Sequence, residues 1–133
     1  VLDHGSGIGT MALMLAEGNE VDCWEPSRYM RKFTEWRALR LERSVNFVNG
    51  DRLEGYVMAI SFHVLEHVPS PEVTAREVVA ALRPGGLLFA DADFTDDGRH
   101  PMHHLSNDDP QGSHFWRDQG LERLSNFWWR KKE

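Results

Sequence analysis

The stretch "VLDHGSGIG", residues 1–9, limits the fold more than any other part of the chain. A short apolar run ends in Asp3, glycines follow at every second position (Gly5, Gly7 and Gly9), and "TMALMLAEG" then reads as a helix closed by Gly18. Glycines in a strand-to-helix turn let the backbone bend sharply and let a ligand come closer than a Cβ would allow. The dinucleotide fingerprint sets its third glycine one residue later, and an acid just before the first glycine would place like charge beside a pyrophosphate. The turn suits a cationic ligand. Its bland reading is a tight connection that holds nothing.

Strand and helix alternate through most of the chain. "EVDCW" is a second strand, and Ser27 caps a helix over "RYMRKFTEWRALRLER" whose Met30, Phe33 and Leu41 are placed to face a core. "VNFVN" and "YVMAISF" read as the third and fourth strands. Ser70 and Pro71 start a helix over "EVTAREVVAALR" that "PGG" ends, and "LLFADA" is the fifth strand. Nearly continuous apolar strands between helices predict an α/β fold, a doubly wound and mostly parallel sheet covered on both faces. "DADFTDDGRHPMHHLSNDDPQGSH" has no period and reads as a long loop of the kind that carries function. "FWRDQG" reads as a short helix. "LERLSNFWWRKKE" fits one strand or a hairpin turning at Ser125 and Asn126. Alternation puts Phe127 and Trp129 on one face, to line a substrate pocket or meet a partner chain, and Trp128 on the other.

A length of 133 residues predicts a single domain over residues 1–133. No apolar run approaches the roughly 20 residues that span a bilayer, so no membrane partner is expected. A net charge of −6 argues against nucleic acid as the main partner, and the basic residues of the second helix are spaced as a solvated face. The lone Cys23 excludes an internal disulfide and fits a reducing compartment, from which a cytoplasmic location is expected. The chain opens inside a strand with no secretory signal, so it reads as a piece without its N-terminal elements.

Two further acids stand at strand ends. Glu25 follows the second strand and can accept from both hydroxyls of a ribose. Asp51 follows the third and can accept from the exocyclic amine of adenine. Taken singly, Glu25 is also a helix-start acid and Asp51 a turn residue after Gly50. Asp3, Glu25 and Asp51 together would line one crevice of an open α/β sheet. With a glycine turn and no phosphate-binding lysine, they describe a pocket for a ribose, a base and a positive centre.

On these residues the chain resembles the class I S-adenosylmethionine-dependent methyltransferases. "VLDHGSGIGT", "VDCWEPS" and "FVNGD" are similar to that family's first three motifs, and "ISFHVLEHVPSPEVTAREVVAALRPGGLLFADAD" to its fourth strand through its fifth. The resemblance implies a Rossmann-like methyltransferase fold without its N-terminal helices and with its last two antiparallel strands abbreviated. It implies S-adenosyl-L-methionine as cofactor. Asp3 and the Gly5–Ser6–Gly7 backbone, with Gly9 completing the turn, would hold the methionine part. Glu25 would hold the ribose diol with Pro26 packing beside the adenine, Asp51 would read the adenine amine with Arg52 beside it contributing backbone contacts, and Phe62 and His63 would approach the methionine moiety and the methyl group.

"SFHVLEHVPSP" carries His63, Glu66 and His67 as H-x-x-E-H. A zinc peptidase needs this pattern on a helix, whereas here a strand end and Pro69 surround it. Three readings stay open. Glu66 and His67 shape the pocket through backbone hydrogen bonds; or His63, Glu66 and His67 hold a divalent metal, as some relatives do with an acid in place of His63; or a histidine is the general base. Methyl transfer is an in-line displacement, and a hydroxyl or ammonium acceptor must still lose a proton. His63 is the first candidate for that, with His67, His103 and His104 after it. The expected function is methyl transfer to an oxygen or nitrogen of a small-molecule acceptor. A non-catalytic domain that keeps the nucleotide pocket and regulates or scaffolds a partner is the alternative; an NAD-dependent oxidoreductase fails on glycine spacing.

Overall fold

In the computed structural model, which describes residues 1–50, 53–92 and 113–133, the apolar runs become strands joined by helices. Two compact units divide the chain, Val1–Arg52 and Leu53–Glu133.

The first unit runs β1 (Leu2–His4), α1 (Thr10–Leu15), β2 (Asp22–Trp24), α2 (Arg28–Leu41) and β3 (Asn46–Phe47). β2 lies between the other two and parallel to both, with Leu2 opposite Asp22 and Asp22 opposite Asn46. Ala12, Val21 and Cys23 form its buried centre, and Leu15, Val45 and Phe47 pack around them. α1 ends before Gly18, which sits in the following turn and donates to the Leu15 carbonyl. α2 starts as the sequence predicts, with Ser27 Oγ accepting from the Met30 amide.

The expected core face of α2 is corrected. Met30, Phe33 and Leu41 are 42%, 45% and 51% exposed, and the buried positions are Thr34 and Ala38. The reason is steric: α2 passes so close to the glycine turn that a Cβ on Gly9 would lie 2.3 Å from Thr34 Cγ2. Only small side chains fit on that side. The displaced aromatics cover one another instead, with Phe33 stacked on Trp36 at 5.5 Å and the Arg40 guanidinium over the Trp36 ring.

The second unit runs β4 (Tyr56–Phe62), a 3-10 turn (Leu65–His67), α3 (Pro71–Ala81), β5 (Leu82–Asp91), α4 (Ser113–Asp118), β6 (Leu121–Arg123) and β7 (Trp128–Lys131). Pro71 fills the first position of α3, where a missing N–H is harmless. α3 ends earlier than expected because Leu82 already pairs with Tyr56; an irregularity follows before Met58 meets Leu87. Gly86 sits in that irregularity, where a Cβ would come within 2.9 Å of the Arg83 carbonyl oxygen. β4 and β5 are parallel, β7 is antiparallel to β5 with Leu88 opposite Trp129, and β6 is antiparallel to β7. The tail is therefore a hairpin, with strands of only 3 and 4 residues. Mostly parallel, helix-linked strands with an antiparallel end are the fold class expected from the sequence. Among the described residues no helix is long and apolar enough to cross a membrane.

The end of α3 is closed from far along the chain. Lys131 Nζ donates to the carbonyls of Val79 at 2.9 Å and Leu82 at 2.6 Å. A cation on the last carbonyls of a helix satisfies acceptors that have no partner within the helix. Lys131→Met keeps the stem and removes the charge. It should lower the stability of the chain by about 1.5–3 kcal/mol, read from denaturant unfolding, and speed amide exchange around residues 82–83.

Candidate functional site

β1 carries Asp3 into the interior, where 3% of its surface stays exposed. Its Oδ2 has no hydrogen-bond partner among the described residues. Burial pushes the carboxyl from 3.8 up to about 6; the Ala12 backbone amide opposes the rise, and the charge of Glu25 adds to it. A buried acid with an open oxygen is a place for a cation or a donor. Next to it His4 stacks on Trp24, with ring centroids 4.4 Å apart and planes 8° apart. Burial lowers its pKa to about 4, so His4 is a neutral wedge at neutral pH. Burial also raises the Cys23 thiol to about 12, with the Asp3 charge adding to it, which keeps Cys23 inert.

The glycine turn is held from several sides. Gly5, Gly7 and Gly9 have φ of 74°, 53° and 74°, which only glycine adopts freely. The Gly5 and Ser6 amides donate to the Trp24 carbonyl at 2.8 and 3.2 Å. The Gly7 amide donates to Glu25 Oε2 at 2.8 Å, and the Ser27 amide to Glu25 Oε1 at 2.8 Å. Glu25 is thus a clamp between the turn and the start of α2, and each oxygen keeps a further acceptor site. Pro26 is exposed beside it.

Sequence reasoning missed the braces behind the turn. Thr34 Oγ1 donates to the Gly7 carbonyl at 3.2 Å, Arg37 Nη1 to the Ile8 carbonyl at 2.5 Å, and Arg31 Nε to the Glu25 carbonyl. Their signal was the spacing of two small residues, Thr34 and Ala38, four apart on α2. That stripe allows close approach, but the apolar pattern points elsewhere.

In the second unit, β4 delivers Phe62 and His63. His63 leaves the strand with φ of 52°, a left-handed conformation uncommon outside glycine, and its amide donates to the Asp91 carbonyl at 2.8 Å. The turn swings its ring onto Glu66: His63 Nδ1 and Glu66 Oε1 are 2.8 Å apart, with Glu66 fully buried and His63 48% exposed. His63 Nε2 lies 3.8 Å from Asp91 Oδ2. Phe62 packs edge-on against His63 at 4.5 Å and stacks on Phe89 at 5.8 Å. His67 is exposed on the 3-10 turn. The structure therefore brings His63 and Glu66 together, and adds Asp91, which the sequence did not single out.

The zinc-peptidase arrangement is absent, since His63 is on a strand end and His67 on a 3-10 turn. Among the described residues no group of three histidine, cysteine or acidic side chains stands close enough to hold a metal ion. Asp51, Arg52, His103 and His104 lie outside the described residues.

Residues 1–127 match the family described as "Methyltransferase domain". No protein of curated function matches the chain. Among solved structures, it is similar to the [4+2]-cyclase SpnF, with a TM-score of 0.72 and 25% identity over 93% of this chain and 51% of that one. It is similar to a putative sarcosine dimethylglycine methyltransferase from Galdieria sulphuraria, with a TM-score of 0.74 and 19% identity over 93% of this chain and 54% of that one. Magnesium protoporphyrin IX methyltransferase from Synechocystis PCC 6803, solved with bound S-adenosylmethionine, gives a TM-score of 0.69 and 17% identity over 97% of this chain and 65% of that one. The chain spans about half to two thirds of the length of these proteins.

Asp3 gives a pH dependence of stability. Unfolded, its carboxyl ionises near 3.8; folded, it keeps its proton to about 6, so the stability tied to that proton is lost as pH rises through about 6. The difference is worth about 3 kcal/mol. Asp3→Asn should leave the unfolding midpoint of the ligand-free chain nearly unchanged at pH 4 and raise it at pH 7.5, measured by thermal denaturation at both values.

Proposed function

The chain belongs to the methyltransferase domain family, and on that premise we propose that it moves a methyl group from S-adenosylmethionine to an oxygen or nitrogen of a small-molecule acceptor. We read residues 1–133 as one methyltransferase domain made of the two units. The Asp3 carboxylate carries the reading. It is buried, held up to about 6 and left with an open oxygen, which fits the positive end of a sulfonium amino acid and not a pyrophosphate. The remaining acceptor sites of Glu25 suit a vicinal diol. Two of the similar structures are named for small molecules, the sarcosine dimethylglycine and magnesium protoporphyrin IX methyltransferases.

S-adenosylmethionine, when bound, would supply an electrophilic methyl on a positive sulfur that departs as a neutral thioether, with Asp3 and Glu25 as the residues that would hold it. The chain's own part is binding and proton handling. In the tautomer that carries its proton on Nδ1, His63 donates to Glu66 at 2.8 Å, and the Nε2 lone pair is left to take the acceptor's proton. Asp91, 3.8 Å from Nε2, then steadies the imidazolium. Glu66 is a positioning residue, acting through His63. Of the readings open for this segment, the general base is the one this geometry favours.

Calorimetry with S-adenosylmethionine, its demethylated product and NAD tests the cofactor assignment. Uptake of the first two without NAD supports it, and preference for NAD sinks it. His63→Ala should cut kcat by about 10²–10⁴ with cofactor affinity unchanged. Glu66→Gln should produce a smaller loss, confined to kcat with KM unchanged, read as formation of the demethylated product. Cofactor uptake with no turnover on any acceptor would favour the scaffold reading. SpnF, named for a cyclisation, makes that comparison necessary.

A further inference from the structure

One cavity lies wholly within the second unit. Leu88, Trp129 and Arg123 are paired across β5, β7 and β6, so their side chains share one face of the sheet. Ala90 follows on that face, and Phe127 borders the cavity through the Ala90 amide donating to its carbonyl at 3.0 Å, while its ring packs on Phe89 at 6.0 Å rather than on the face of Trp129 that alternation predicts. α4 lays Trp116 against Trp129, ring centroids 6.2 Å apart. The small residues Ala90 and Ala92 leave room among these rings, and a cavity of about 330 Å³ results. An apolar cavity of about 150 Å³ is enough to take a benzene. Trp116 and Trp129 are buried and form the floor, while Phe127, 46% exposed, is open to solvent.

The polar groups on this cavity have opposite signs. Arg123 is held in place: Nε donates to the Ser125 carbonyl at 3.0 Å, Nη2 to Asn126 Oδ1 at 3.2 Å, and its guanidinium lies 5.8 Å over the Trp129 ring. Among the described residues no carboxylate pairs with it, although Arg130 on the next strand pairs with Glu122 at 3.4 Å. Three of its five N–H donors remain. A guanidinium fixed on an aromatic surface with donors to spare is a receptor for a carboxylate. Asp91 also lines the cavity at the end of β5, but by strand alternation its side chain points to the other face from Ala90, where the carboxylate stands beside His63 Nε2.

Resting on the methyl-transfer reading above, we propose that this cavity selects the acceptor, and that the acceptor is a compact aromatic acid: its ring lies against Trp116 and Trp129, its carboxylate on Arg123, and its hydroxyl or amine toward the rim at the Asp91 end of β5. S-adenosylmethionine, when bound, would supply the methyl group, and His63 Nε2, at the same end of β5, would take the hydroxyl or amine proton.

Binding is measured by quenching of tryptophan fluorescence, without cofactor, for 4-hydroxybenzoate, 4-hydroxyphenylacetate, the methyl ester of the latter, and tyramine. At least one acid should bind tenfold or more tighter than the ester and tyramine. Arg123→Gln should abolish that preference, Arg123→Lys should keep part of it, and Arg123→Glu should turn it toward tyramine. Arg123 is exposed, so an unchanged unfolding midpoint confirms that each variant folds. Equal binding of acid and ester, no binding of either acid, or an undiminished preference in Arg123→Gln overturns the proposal. Labelled S-adenosylmethionine then separates the two readings. Selective binding without label on the acid preserves the pocket and sinks methyl transfer; label on other acceptors, indifferent to Arg123, does the reverse.

Discussion

The Glu25 carboxylate joins the parts on which the first unit depends. One oxygen takes the Gly7 amide and the other the Ser27 amide, so a single side chain fixes the glycine turn and starts α2. α2, so placed, returns Thr34 to the Gly7 carbonyl and closes the loop of contacts. Each member sets the geometry of the next. Because hydrogen bonds to an ionised acceptor are stronger than neutral ones, the carboxylate is suited to the centre of this arrangement.

That arrangement has an electrostatic consequence. Burial is the main cause of the upward push on the Asp3 carboxyl, and a smaller part comes from the charge of Glu25, the neighbour that holds the turn. The first unit therefore buries an acid behind a shaped backbone, with one oxygen that meets no donor among the described residues. The second unit handles charge differently. Glu66, though buried, has His63 as its partner, and Asp91 stands at the other edge of the same ring.

Much of this was legible in the sequence, where local chemistry decides. Tyr56–Phe62 was read to its ends because an apolar run lies between Gly55 and a polar segment. Ser27 announced α2, and Pro71 announced α3. The core face of α2 was misread because periodicity assumes that large apolar residues point inward, whereas here the glycine turn leaves space only for Thr34 and Ala38. The choice between one strand and a hairpin at the tail depends on pairing with β5, which no local pattern encodes. The His63–Glu66 contact depends on a left-handed backbone at His63, and histidine gives no warning of it. Asp91 entered the site through strand register alone.

The tie from Lys131 to the end of α3 also bears on the order in which the second unit forms. The contact joins residues 52 and 49 positions apart, so the loop it closes is long and local propensity gives it no help. During synthesis α3 emerges from the ribosome well before the lysine that completes it, and its last turn stays open to water until β7 docks. A nascent chain halted before that strand would carry a frayed helix end beside an unpaired β5 edge, the state in which quality-control proteases and chaperones meet a polypeptide.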